Sequence, residues 1–352
     1  MPRSVFWVSV GGQEITSTLS PILMSIEITD NDGGQSDTLE LELDDAGGMI
    51  ELPETNAPIQ AGIMYEDDDG SPLGPPVQFS GKVDSPSSTF GRGQGLTLKI
   101  SAKSADQKGK PKEHKEKHHD KGKFSKVAKE FGKDAGLEVT VAYGIDTERD
   151  YWAMQGESFM NWGARIAQEL GATFKIRDGK AVFAERGTGM SIDGQALPTI
   201  QAVWPSNIIS GTMSPVADRE TWEKFRVRYY DKDKAKYVYT DAEAKELGGS
   251  VGHLNRFNHA DEDASKTRGK SNKKEADGDK GGGTITIEGE PSAQAECMCT
   301  VQGVRPGIDG SYRIKTAKHK LSRSEGYTTE LTLKQPTGSA GQDSRGSSDG
   351  GE

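Results

Sequence analysis

The chain has 352 residues, a net charge of −10, 44 glycines and only 32% hydrophobic residues. At about 150 residues per domain, that length points to two or three domains. No apolar run approaches the roughly 18 residues of a membrane-spanning helix, and two cysteines cannot build a disulfide scaffold. The N-terminus MPRSVFWVSVGG is too short and too polar for a secretory signal, so synthesis in a cytosol is expected.

Leu, Ile, Val and Phe are missing altogether from 103–123, 258–283 and 337–352. The remainder is a folded protein with a lean core, the kind that gains stability from partner subunits. Charge is unevenly spread. Residues 4–81 contain 15 acids and no Lys or Arg, which leaves +5 for the rest. Phosphate binding needs Lys and Arg, so this segment is not a nucleic-acid grip.

The first hundred residues have strand periodicity. Ile22, Met24, Ile26 and Ile28 alternate with Leu23, Ser25, Glu27 and Thr29, and Leu39, Leu41 and Leu43 alternate with Glu40 and Glu42. Asp30-Asn31-Asp32-Gly33-Gly34 joins the two runs as a hairpin-type turn. Val77 to Val83 and Leu96 to Ile100 form a further pair. Five prolines in 53–76 favour edges and loops there.

Segment 103–123 carries a net +4 and is expected to be a solvated charge run. Phe124, Val127, Ala128, Phe131 and Ala135 then mark one face of a helix that stops at Gly136. LEVTVAY is a strand. A second helix starts near Ser158, with Phe159, Trp162, Ile166, Ala167 and Leu170 on one face and Gly171 at its end. ATFKIRDGKAVFAE is a hairpin turning at Asp178-Gly179. Residues 124–186 therefore form a small α/β unit.

Beyond 190 the strand pattern returns with Phe225, Val227 and Tyr229, then Tyr237 and Tyr239. Thr240-Asp241-Ala242-Glu243 has the form of a capping box opening a short helix. Residues 258–283 are a polar insertion. TITIEG, AECMCTVQGV, SYRIKTAKHKL and YTTELTLKQ are strands, and the 337–352 tail is expected to be disordered. FSGKVDS…GLTLKIS and YRIKTAK…ELTLKQP share a pattern that hints at an internal repeat.

Catalytic chemistry finds no foothold. His114, His118 and His119 lie among lysines that would repel a cation. Cys297 and Cys299 are spaced as buried strand thiols, without the two intervening residues of a redox or zinc motif. Asp67-Asp68-Asp69-Gly70 and Asp30-Asn31-Asp32-Gly33 fail the calcium-loop spacing and suit turns. No phosphate loop, nucleophile elbow or dinucleotide fingerprint is present. No catalytic residue, metal or cofactor is expected, and the chain is expected not to be an enzyme.

Three blocks carry a resemblance. SADQKGKPKEHKEKHHDKGKFSKVAKEFGKDAGLEV, MQGESFMNWGARIAQELGATFKIRDGKAVFA and TITIEGEPSAQAECMCTVQGVRPGIDGSYRIKTAKHKLSRSEGYTTELTLKQP together resemble the late control D proteins of contractile-tailed phages. The GVRPGIDG turn, His319 and the Gly326 to Thr329 run are characteristic. The resemblance spans roughly residues 1–336. It implies a mainly β fold with an α+β insertion: two tail-tube-like β-barrel domains at 1–105 and 191–336, the latter with the polar insertion, and an α/β domain at 106–190.

It further implies a structural baseplate hub, related to the hub part of type VI secretion spikes. Such a hub is a homotrimer joining the hexameric tail tube protein above to the trimeric central spike protein below. It would contact baseplate wedge or other hub-associated proteins, let DNA pass without specific binding, carry no membrane anchor, and sit in the virion tail baseplate after assembly in the host cytoplasm. The readings that compete are a tail-associated cell-wall hydrolase and a nucleic-acid-binding late-gene regulator using 103–123. Glu40, Glu42, Asp44, Asp45, Asp67, Asp68 and Asp69 are candidates for an acidic face. That face could be solvated outer surface, the wall of the DNA channel, or a contact with a basic partner.

Overall fold

A computed structural model describes residues 2–33, 35–93, 95–104, 109–177, 179–189, 195–214, 222–244, 249–278, 281–341 and 343. Most of the disordered tail expected at 337–352 lies outside the described residues, while Thr337 closes the last strand.

Period-two patterning at the N-terminus produces the expected hairpin. Leu23–Asn31 and Thr38–Asp44 pair antiparallel, burying Ile26, Ile28, Leu39, Leu41 and Leu43 and turning Glu27, Glu40 and Glu42 outward. Val77–Gly91 and Gly95–Lys103 form the second hairpin. The proline-bearing stretch departs from expectation. Pro58–Glu66 is an internal strand between Arg3–Val10 and Val77–Gly91. Its proline sits at the first residue, where no ladder bond is forfeited.

The mainly β class holds. The two β stretches do not form separate closed barrels among the described residues; they share one 13-stranded sheet. Leu23–Asn31 pairs antiparallel with Gly310–Ser322, from Ser25 opposite Ser322 to Asn31 opposite Thr316. On the far side Gly326–Thr337, Gly282–Glu288 and Ile208–Ser214 follow in order. Thr199–Val203 and Met298–Gln302 pair parallel beside them. Apolar side chains gather in three clusters: one from Val8 to Ala102 with Tyr327, one from Phe124 to Phe183, and one from Ile200 to Ala340.

The α/β unit contains the expected helices, Phe124–Asp134 and Phe159–Leu170, and the Ala172–Arg177/Lys180–Glu185 hairpin with Glu138–Val141 parallel to it. Its core is aromatic, with Phe124, Phe131, Trp152, Phe159, Trp162, Phe174 and Phe183 at centroid separations of 4.6 to 6.5 Å. Such tilted and edge-on pairs add to area burial. Gly171 ends the second helix in the left-handed region, φ 67°, at a position where a Cβ would be strained. The buried Ser158 hydroxyl accepts from Asn161 N at 3.2 Å as an N-cap. Ser158→Ala should therefore lower unfolding free energy by about 1 kcal/mol, read as an earlier urea midpoint at unchanged slope.

Three polar stretches fold differently from expectation. Within the charge run 103–123, residues 105–108 lie outside the described residues, and His114–Lys123 is no solvated loop but a strand paired with Glu148–Ser158, itself unforeseen. Alternate side chains Lys115, Lys117 and His119 lie half-buried against the first helix. Lys117 pairs with Asp134 and lies 5.8 Å from the Phe131 ring, and His119 Nδ1 is 2.9 Å from Glu130. Long basic side chains thus cover apolar surface with their stems while their heads find carboxylates.

The polar insertion is a helix, Glu262–Gly278, packed on the three-stranded sheet of Lys224–Asp231, Lys236–Glu243 and Gly252–His259. Small residues make this approach possible. A Cβ on Gly269 would lie 3.1 Å from the Ala242 Cβ, and the Ser265 hydroxyl donates to Val227 O at 3.2 Å. Arg268 and Ser271 both donate to Gln168 O at 2.7 Å, capping the end of the Phe159–Leu170 helix.

The capping box at 240–243 is likewise strand, the end of Lys236–Glu243. Arg226 holds Asp241 by two 2.8 Å bonds from the neighbouring strand, and the Thr240 hydroxyl meets Ser265. Side chains that could cap a helix are engaged across the sheet instead. Residues 245–248, where that helix would have run, lie outside the described residues.

Candidate functional site

Of the seven acids nominated from the sequence, Glu40, Glu42 and Asp44 alternate with buried leucines along one strand, and Asp45, Asp67, Asp68 and Asp69 lie at turns. Glu40 and Glu42 lie on the outward side of the sheet, with Glu27 directly opposite Glu40. Lys99 Nζ is 2.8 Å from Glu40 Oε2. Its hydrogen bond to Glu40 and the charges of Glu40, Glu27 and Glu42 hold the Lys99 pKa above its ordinary value. Lys318, on the other flank, is 3.5 Å from Glu27. The acidic segment is thus interleaved with lysines from distant strands.

The remaining acids shape turns. Asp44 Oδ1 accepts from Ala46 N, and the buried Asp45 accepts from Met49 N at 2.9 Å and Ile50 N at 3.2 Å. Asp67 accepts from Asp69 N and Asp69 from Ser71 N, both at 2.8 Å, with Asp68 exposed between them. Hydrogen bonds to Ser71 and Asp67 pull Asp69 down to about 2.

His114 and His118 both point outward on a strand, where a four-residue step spans about 13 Å, so they cannot share one metal ion. Cys297 and Cys299 are fully buried and unbridged, and burial pushes their thiols up to about 11 and about 12.

A dense polar constellation that the sequence reading missed lies at the seam between the α/β unit and the large sheet. Arg313, 3% exposed, donates from Nη1 to Glu296 Oε1 at 2.5 Å, from Nη2 to Asp32 Oδ2 at 3.4 Å, and from Nε to Gln335 Oε1 at 3.1 Å. Lys334 Nζ is 2.8 Å from the same Asp32 oxygen. Glu296 also accepts from the Thr173 hydroxyl and from Gly187 N, both at 2.9 Å. Gly33, at φ 94°, lets the turn approach Phe174; a Cβ there would lie 3.0 Å from Phe174 O. One Arg thereby ties the Asp32 turn, the α/β hairpin and the last two strands together.

Beside it, Lys175 Nζ pairs with Asp30 and lies 3.6 Å from Asp37. Burial alone would lower the Lys175 pKa, but the two carboxylates outweigh it and raise it. Burial raises Asp37 to about 6, with Lys175 pulling down and Asp30 pushing up. Asp30 also accepts from Ala295 N at 2.7 Å. One signal was available: Asp30 and Asp32 stand two apart on a strand end, and Arg313 interrupts an otherwise apolar run, Tyr312 to Ile314.

The motif residues of the C-terminal block converge nearby. His319, 1% exposed, meets Ala293 O through Nε2 and the Tyr327 hydroxyl through Nδ1, each at 2.9 Å, with the Thr329 hydroxyl at 3.3 Å from Nδ1. A carbonyl can only accept, so Nε2 carries the proton and Nδ1 accepts. Asp309, in the GVRPGIDG turn, gathers the amides of Gly303, Val304 and Arg305 at 2.9 to 3.1 Å. These groups hold strands and turns in place, and His319, Tyr327 and Thr329 are all buried.

Across 94% of its length the chain has the fold of phage tail proteins. It superposes on a tail protein from Neisseria meningitidis MC58 with a TM-score of 0.69 at 15% identity, covering 96% of that chain. On the 43 kDa tail protein of prophage MuSo2 from Shewanella oneidensis the TM-score is 0.67 at 14% identity, covering 98% of it.

In sequence it is similar to the probable baseplate hub proteins of Escherichia phage 186 (29% identical over 194 residues, 55% of this chain and 48% of that protein) and Escherichia phage P2 (26% over 196 residues, 55% and 49%). The chain spans about half the length of the curated relatives it matches. No family model matches it. The hub-protein resemblance read from its three blocks thus meets relatives that carry that name.

Proposed function

We propose that the chain is a structural hub protein of a contractile phage tail or of a phage-derived particle. The observation that carries this reading is the fold likeness to tail proteins over nearly the whole chain, together with hub-protein relatives in sequence. Three copies form the hub. Segments 1–105 and 191–336 of each copy act as the two tube-facing β domains, and 106–190 is the outer α/β domain. The ring joins the tail tube above to the central spike below and surrounds the path of DNA. The continuous pairing of Leu23–Asn31 with Gly310–Ser322 supports this role, because it joins the two β stretches in one sheet.

Light scattering of the purified chain, alone and with the spike protein, tests the assembly. A mass of three chains is the expected result. A monomer unchanged by spike protein would overturn the reading.

Glu40 and Glu42 stand on the outward side of their strand, with Asp44 next on the same side, and we place them on the channel wall. Changing both to Lys sets them beside Lys99, and like charges across strands repel. DNA should then leave normally assembled particles more slowly, because added cations hold phosphates. Unchanged delivery returns the row to the outer surface, and failed assembly makes it a subunit interface.

One observation favours a second reading, a cell-wall hydrolase: the Asp30–Asp37 pair, with Asp37 raised to about 6. Against it, Lys175 occupies both carboxylates. A peptidoglycan zymogram decides; clearing by the chain that Asp37→Asn abolishes would replace the hub reading.

A further inference from the structure

The Arg313 seam borders a cleft of about 260 Å³. Five cations line it, Arg186, Lys274, Arg313, Lys315 and Lys334, against the carboxylates of Asp32 and Glu275. They come from four separate elements: the end of the Lys180–Glu185 strand, the Glu262–Gly278 helix and the last two strands. Their available counter-charge is already shared. Asp32 serves both Arg313 and Lys334, and Glu296 is committed to Arg313.

Two observations show that negative charge is wanting. Arg186 Nε is buried and has no hydrogen-bond partner, a costly state for a charged donor. Burial, with Arg313 and Arg186 nearby, holds the Lys334 pKa down despite its contact with Asp32. Gly33, Gly171 and Gly278 form part of the wall.

We propose that this cleft is a binding site for a small multivalent oxyanion, which would bridge Arg186 and Lys274 and lock the α/β unit to the helix and the sheet. The size admits an anion such as pyrophosphate or citrate and excludes a nucleic-acid duplex. A ligand that binds only the folded chain stabilises it by mass action, so the site would also set how firmly the three parts hold together.

The test is calorimetric titration of the full chain with inorganic pyrophosphate and, separately, with citrate, each against sodium chloride at matched ionic strength. Saturable one-site binding is expected. It should weaken about tenfold in Arg186→Gln and in Lys274→Gln, the loss of one charge-assisted contact, and stay unchanged in Lys266→Gln, whose side chain pairs with Glu262 on the same helix. Tighter binding of pyrophosphate assigns the site to phosphate groups; tighter binding of citrate assigns it to carboxylates. Circular dichroism checks each variant, and should Arg186→Gln not fold, the exposed Lys274 position carries the test. Heats no larger than those from sodium chloride, or equal affinity in Lys274→Gln and the unaltered chain, would overturn the proposal.

Discussion

Replacing Arg313 with methionine should remove about 3–5 kcal/mol of unfolding free energy, the cost of leaving buried charges without their partner. Arg313 is buried and uses three nitrogens on Glu296, Asp32 and Gln335. Methionine fills much of the same space, so the loss reads the stranded carboxylates rather than a cavity. Glu296 would keep its bonds from the Thr173 hydroxyl and Gly187 N, and Asp32 would keep Lys334. These residual contacts favour the lower half of the range.

Arg313→Lys should not rescue the loss. A single ammonium on a flexible stem cannot reproduce a planar fork that meets three acceptors at once. The double variant Arg313→Met, Glu296→Gln should recover part of it by removing one stranded charge. Urea unfolding of the three variants decides the matter. A loss under about 1 kcal/mol for Arg313→Met, the range of a surface ion pair, would mean that the seam is not held by this network.

The seam also explains which features the sequence displayed and which it hid. Leu39, Leu41 and Leu43 announce their strand because alternate apolar residues need one buried face. Phe124 to Ala135 and Phe159 to Leu170 announce helices by the same logic at a longer period. Both rules count apolar side chains, so they pass over elements whose buried face is not apolar.

The strand His114–Lys123 buries lysine stems and an imidazole. The helix Glu262–Gly278 buries Ala264, Ser265, Gly269, Ser271 and Asn272, a face made for close approach rather than for hydrophobic area. Thr240 to Glu243 satisfies the spelling of a helix start, but Arg226 reaches Asp241 from the next strand, and tertiary contacts outrank a local motif worth about 1 kcal/mol.

The acidic segment misleads for a related reason. Its 15 acids have no basic neighbours in sequence, yet Lys99, Lys175, Arg313, Lys318 and Lys334 reach Glu40, Asp30, Asp32 and Glu27 from strands far along the chain. Charge read along a chain is a different quantity from charge read across a sheet.

Stability should respond to acid through His319, and the sign follows from its surroundings. Burial, partly offset by the Ala293 carbonyl and by Asp30 and Glu290, lowers its pKa from 6.5 to about 4. The folded state therefore resists protonation where the unfolded chain accepts it. The His319 contribution is fully present above pH 6.5, falls at about 1.4 kcal/mol per pH unit below that, and levels off below pH 4, a total of about 3 kcal/mol. Asp37 works in the opposite direction. Its pKa is raised from 3.8 to about 6, so its contribution is greatest below pH 3.8 and is lost as pH rises through 6.

Between pH 4 and 6 the two slopes oppose each other and mask one another in the unaltered chain. Single variants separate them. His319→Gln should cost stability at pH 7, where the bonds to Ala293 and Tyr327 are lost, and its deficit should shrink by about 3 kcal/mol on going to pH 4. Asp37→Asn should show a deficit that grows with acidification instead. Urea midpoints at pH 7, 5.5 and 4 measure both. A His319→Gln deficit that stays constant across that range would show that the imidazole is solvated and freely protonated, and that the Ala293–His319–Tyr327 bridge does not hold the last two strands to the core.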